Sequence, residues 1–261
     1  MTFTPTAPRG ASPAIKSART RPFTYVRYDL LRAFRNRRAL LFSIGFPLLL
    51  FFLIAGPNKH EKLNGINFAT YYMVGMLSWG AMTAMIGGGA RITTERAVNW
   101  HRQLRVTPMS ARTYFSAKTI TSYALATLSI ATLYTAGAFM GVRLSAVEWL
   151  ELTGYVVVAL VPFAVLGIVL GHVLTVDSIG PAVGGLASLL AVLGGAWGPL
   201  ASGGAVGAIV KFLPSYWLVR AGNTVVGGGP WPAKAWLVMA VWTFVGVRIA
   251  VRVYRRDTNR V

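Results

Sequence analysis

Six long apolar runs govern what this chain can become. Ala39 to Gly56, Phe68 to Ala90, Thr119 to Val142, Leu152 to Leu174 and Pro181 to Trp197 contain no Asp, Glu, Lys or Arg, and Ala235 to Val253 contains only Arg248 and Arg252. A helix crosses the hydrocarbon core of a bilayer with roughly 20 such residues, and in lipid the backbone must satisfy its own hydrogen bonds. The runs therefore read as six membrane-spanning helices. Composition supports this: 54% of the 261 residues are hydrophobic and 13% charged, too few polar side chains to cover a soluble globule. A water-soluble enzyme is disfavoured and intrinsic disorder excluded. With no cysteine, disulfide frameworks, thiolate zinc sites, iron-sulfur clusters and cysteine nucleophiles are absent from the chemistry.

The first run is expected to bend at Pro47. Its competing reading is a signal peptide, but the preceding basic region is too long and Leu53-Ile54-Ala55 lacks a small residue two before Ala55. The fifth run is Gly-rich and slightly short. Arg248 and Arg252 lie near the end of the sixth, where their stems can extend toward water.

The net charge of +19 would suggest nucleic acid as partner in a soluble protein, but the basic residues cluster at the ends of the runs. Those before Ala39, from Arg91 to Lys118 and from Arg248 to Arg260 number 20, against 6 on the other side, which places both termini in the cytoplasm. Trp149, Trp231 and Trp236 fall at the outer ends of the fourth and sixth helices, where an amphipathic indole favours the headgroup zone.

The expected domain is therefore a single all-α, polytopic unit over residues 23–256, with helices near 39–56, 68–90, 119–142, 152–174, 181–197 and 235–253. Residues 1–22 form a disordered basic cytoplasmic tail and 257–261 a second tail. Phe23, Val26, Leu30, Ala33 and Phe34 recur at helical spacing among Arg27, Arg32, Arg35 and Arg38, which suits an amphipathic helix on the inner leaflet; a plain basic juxtamembrane stretch is the alternative. The loop from Arg91 to Lys118 suggests a short projecting helix around Glu95, Arg96, Arg102 and Arg105, stopped by Thr107-Pro108, unless it is simply solvated. Residues 200–234 are too interrupted for a span and are expected to form an ordered outer cap with shielded non-helical backbone.

Chemistry is sparse. A phosphate-cradling loop needs glycines and a lysine followed by Ser or Thr; Lys118-Thr119 has that ending, but Ala117 precedes it and Arg112 stands where the first glycine belongs. The chain therefore binds no ATP of its own, and no catalytic, cofactor or metal site is expected. His172 is the one strong candidate for a proton relay, with a satisfied or interfacial histidine as the simpler reading. Small residues four apart, at Gly80, Ala84 and Gly88, at Gly167 and Gly171, and at Gly194 and Gly198, allow close helix approach. Tyr71, Tyr72 and Trp79 offer aromatic surface to an apolar substrate, or ordinary helix packing.

Several motifs together resemble the membrane subunit of ABC type-2 exporters, the family that includes daunorubicin-resistance-like drug permeases. They are the surface helix leading into the first span, Glu95-Arg96, Arg105-Val106-Thr107-Pro108-Met109-Ser110, and Lys118 at the start of the third helix. Leu193-Gly194-Gly195-Ala196-Trp197-Gly198-Pro199 and Phe212-Leu213-Pro214-Ser215-Tyr216-Trp217 with Arg220 are similar to the family's outer motif. Ala97-Val98-Asn99-Trp100 and Ala117 depart from it. The resemblance implies two permease chains, here a homodimer, and two copies of an ABC ATP-binding subunit that carry ATP and Mg. It implies ATPase coupling through Glu95, Arg96, Arg102, Arg105, Thr107 and Pro108. It also implies a substrate path along the dimer interface near helices two and five, with Tyr72, Met76, Trp79 and Trp197 as candidates. The cargo so implied is an amphipathic drug-like compound or lipid, the other partner is membrane lipid, and nucleic acid is not expected. The alternatives are an ion-gradient secondary transporter, or a membrane sensor or scaffold working with an ATPase.

Overall fold

The computed structural model describes residues 22–63, 65–98, 111–198, 204–227 and 229–259, and nearly all of them are helical. Helix α1 (Pro22–Phe34) buries Asp29 and Ala33 and leaves Tyr28, Leu31 and Phe34 on its outer face. Asn36 then opens α2 (Arg37–Ala55), its side chain accepting from the Ala39 amide at 3.2 Å. Within α2 the turns Leu41–Gly45 and Phe51–Ala55 are widened to π geometry on either side of the segment holding Pro47. Pro47 has no N–H to offer the Ser43 carbonyl four residues earlier. Ser129, from a helix further along the chain, donates to that carbonyl instead, at 2.8 Å. Gly80 makes the junction possible, because a Cβ there would meet both Ser129 Oγ and the Ser43 oxygen.

A two-residue hairpin, β1 (Lys62–Leu63) and β2 (Ile66–Asn67), leads into α3 (Phe68–Ala90), which Asn67 caps by accepting from the amides of Ala69 and Thr70. Short α4 (Ile92–Ala97) follows directly. The chain continues as α5 (Ala111–Phe139), α6 (Ala146–Ala159), α7 (Val161–Val173) and α8 (Val176–Gly194), then α9 (Gly204–Val210), α10 (Pro214–Gly227) and α11 (Ala233–Asn259).

The bundle is organised around α3, which packs on α2, α5, α7, α8 and α10 and has all but three of its 23 residues buried. Its Gly-rich end meets α7 closely: a Cβ at Gly171 would strike the Gly89 carbonyl and Ile92. Outside this contact, α11 lies against α7, α10 against α6 and α8, and α1 against α5. Among the described residues four helical segments are long and apolar enough to cross a membrane: α2, α6 with α7, α8, and Ala233–Arg256 of α11. The runs that became α3 and α5 are not among them. Both devote positions to small and hydroxyl residues that face other helices, such as Ser78 and Gly80 on α3 and Ser122 and Ser129 on α5.

Several boundaries differ from the sequence expectations for identifiable reasons. α5 starts at Ala111, not 119, because Lys118 is neutralised inside the protein, and it stops at Phe139 ahead of Gly141, which adopts a φ of 85°. α6 starts at Ala146 because Ser145 and Glu148 form a capping box, and the run breaks at Leu160 ahead of Pro162. α8 begins at Val176 under the Thr175 and Ser178 pair and ends where Gly195 turns left-handed at φ 79°. The segment expected to be a non-helical cap holds α9 and α10 instead. Trp217, Leu218, Ala221 and Gly222 give α10 one apolar face, which it buries on α3 and α6. The helix of the sixth run continues to Asn259, through part of the expected tail, with Arg248 exposed over the Phe244 ring. The tail expected over residues 1–22 lies, but for Pro22, outside the described residues.

Candidate functional site

Where α1, the α3–α4 junction and the start of α5 meet, a lysine is sealed inside the protein. Lys118 is 0% exposed, and its Nζ lies 2.7 Å from Asp29 Oδ1 of α1 and in direct contact with Glu95 Oε1 of α4. Removing an ammonium from water costs several kcal/mol even after relaxation. Here two carboxylates, 6% and 3% exposed, compensate it, and the rings of Tyr25 and Tyr114 face it at 5.8 and 5.5 Å. The second Glu95 oxygen accepts from Tyr114 Oη at 2.6 Å. The second Asp29 oxygen accepts from Arg91 at 3.4 Å, and Arg91 also reaches the Asp29 carbonyl. One buried and one partly buried cation thus face two buried anions. Arg32 approaches Glu95 at 3.7 Å, but its side chain is 61% exposed and adds little.

The electrostatics follow from this packing. Burial pushes the Asp29 carboxyl up, but Lys118 and Arg91 outweigh it and hold it below the usual carboxylate range. Burial, reinforced by the Glu95 charge, pushes the Tyr25 and Tyr114 hydroxyls well up, so both stay protonated donors.

A second set of contacts fixes α4 to the end of α7. Thr93 donates to the Gly171 carbonyl at 3.0 Å, and Arg96 donates to the carbonyls of Gly171 and His172. A cation at a helix C-terminus satisfies orphan carbonyls and complements the helix dipole. His172 is buried between the Phe115 and Tyr254 rings, with Nδ1 2.9 Å from the Ile168 carbonyl. Short α4 is thereby tied to α1, α5 and α7 together.

Of the coupling residues expected from sequence, Glu95 and Arg96 occupy these two junctions; Arg102, Arg105, Thr107 and Pro108 lie outside the described residues. Asp29, Arg91 and Tyr114 were missed. Asp29 did carry a signal: it lies three residues after Val26 and four before Ala33, which puts the acid inside the apolar stripe of α1. Among the path candidates, Trp79 and Trp197 meet edge to face at 5.1 Å, and Trp79, Tyr72 and Met76 are all buried in the bundle. Trp197 is 40% exposed. Among the described residues no three acidic or histidine side chains are grouped to hold a metal ion.

The fold and this junction define a multi-pass helical membrane protein whose short α4 is braced against three other helices. The sequence pattern of the ABC-2 type transporter family matches residues 23–226, and the chain belongs to that family. It is similar to "Putative transport permease YvfS" of Bacillus subtilis (strain 168), with 24% identity over 232 residues that cover 88% of this chain and 95% of that protein. Membership makes the chain the membrane subunit of a transporter, not itself catalytic, and implies an ABC ATPase partner.

Proposed function

We propose that this chain is the permease of an ATP-driven exporter that moves an amphipathic drug-like compound or lipid out of the cell. In this reading it sits in the cytoplasmic membrane as a homodimer with six spans per chain, and two ATP-binding subunits carry the ATP and Mg. The α1 end faces the cytoplasm, a placement that the excess of basic residues on that side supports. The observation that carries the proposal is the sealed cluster of Asp29, Arg91, Glu95 and Lys118. These pairs tie α1, α4 and α5 into one body, which supports a role for α4 in passing on motion from the ATPase.

ATP-dependent closure of the partner would press on α4 and on the segment containing Arg102, Arg105, Thr107 and Pro108. The ties of α4 to α1, α5 and α7 would then shift the helices packed on α3 between inward and outward arrangements. Tyr72 and Met76 are covered in the present arrangement, so a path past them opens only when α3 and α8 separate, and the Trp79–Trp197 contact is the point that would part first.

The test is co-expression with ABC ATPases of the same genome, followed by co-purification and ATP hydrolysis in nanodiscs. Assembly with one of them, weakened by Glu95→Lys, is expected. Unchanged assembly and unchanged permease-dependent hydrolysis in that variant would remove α4 from the coupling route. Substrate movement driven by an imposed ion gradient without ATP would replace the reading with a secondary transporter.

A further inference from the structure

Roughly 30 Å from the ion cluster, at the 1.5 Å rise of α3, the hairpin end of that helix opens on a cavity of about 380 Å³. The hairpin, the first turn of α3, the end of α8, α9 and α10 frame it. Lys211 and Arg220 line it, and among the described residues no Asp or Glu does. Among the described residues neither cation has a carboxylate within 4.0 Å. Tyr71, Tyr216 and Thr224 add hydroxyls to the wall.

The lip of the cavity is apolar. Val206 of α9 lines it and is 58% exposed, and Ile209 on the same helix is 65% exposed. Two uncompensated cations and an apolar margin specify a ligand with an anionic head and a hydrocarbon tail.

We propose that the cavity between α9, α10 and the hairpin binds the phosphate-monoester headgroup of a single-chain amphiphile, with Lys211 and Arg220 taking the charge and the tail lying along α9. Its place as an exit site rests on the export reading above. The binding itself does not, and it is measured without nucleotide or partner so that either can fail alone.

The experiment is binding to the full chain in phosphatidylcholine nanodiscs, read by microscale thermophoresis, with dodecyl phosphate, inorganic phosphate and dodecyltrimethylammonium as probes. Saturable binding of dodecyl phosphate is expected, weakened at least tenfold in Lys211→Gln/Arg220→Gln and retained within about threefold in Lys211→Arg/Arg220→Lys. Inorganic phosphate binding as tightly as dodecyl phosphate would overturn the amphiphile assignment. Equal binding of dodecyltrimethylammonium, or no loss in the neutral double variant, would overturn the anion site. A melting temperature unchanged in both double variants shows that any loss comes from the site and not from unfolding.

Discussion

The two ends of α3 each gather two strong cations and treat them in opposite ways. At the α1 end, Lys118 and Arg91 are matched by Asp29 and Glu95, and the lysine is sealed from solvent. At the hairpin end, Lys211 and Arg220 line an open cavity that has no carboxylate among the described residues. The difference follows from desolvation. A cation closed inside protein must be compensated by the chain itself, whereas one that keeps access to water can wait for an anion from outside. The first arrangement suits a permanent mechanical joint and the second a reversible binding site.

The comparison breaks most sharply at Lys118. Lys118→Met leaves Asp29 with Arg91 and Glu95 with only the exposed Arg32, and an orphaned buried charge costs about 3–5 kcal/mol. A large fall in the melting temperature of the purified permease is expected, and a melt within a degree of the wild type would show that the lysine is not holding the junction. Tyr114→Phe removes the donor to Glu95 Oε2, a charged hydrogen bond worth about 1.5–3 kcal/mol, so a smaller fall in the same assay is expected.

Acid should then separate the two ends by mechanism. The Asp29 carboxyl lies below its unfolded value of about 3.9, so its contribution is present above that pH and fades as pH falls through the folded value. Protection of α1 from proteolysis should therefore persist through mild acid and disappear only below about pH 4. Loss of protection between pH 5 and 7 would point to a different titrating group. The smallest effect is expected at the hairpin end, where Arg220→Gln changes an exposed, unpaired cation and should move stability by no more than about 0.5 kcal/mol. A destabilisation comparable to that of Lys118→Met would mean that both ends are built alike.

How much of this was legible in the sequence depends on whether the signal is local. Uncharged runs and their basic flanks announced a helical membrane protein, and Asn67, Ser145 and Thr175 are caps that local chemistry explains. What was lost is tertiary. Lys118 was read as the boundary of a span, because nothing in the sequence shows that Asp29, 89 residues earlier, neutralises it. Asp29 broke the apolar stripe of α1 and was passed over, although an acid on the buried face of a helix calls for a partner. Residues 200–234 were read as cap because Lys211, Pro214 and Arg220 interrupt them. Yet Pro214 stands in the first turn of α10, where its missing N–H is harmless, and Arg220 lies on the face that α10 leaves exposed.

The central claim is that the charge cluster serves coupling and not stability alone, and one double variant separates the two. Lys118→Met/Glu95→Gln removes one charge of each sign and leaves the Asp29–Arg91 pair, so most of the stability lost in the single lysine variant should return. The decisive quantity is permease-dependent ATP hydrolysis by the assembled complex carrying that double variant. A fall of at least tenfold in a complex that melts near the wild type is the expected result. Wild-type hydrolysis in that same stable complex would show that the cluster only holds the fold together.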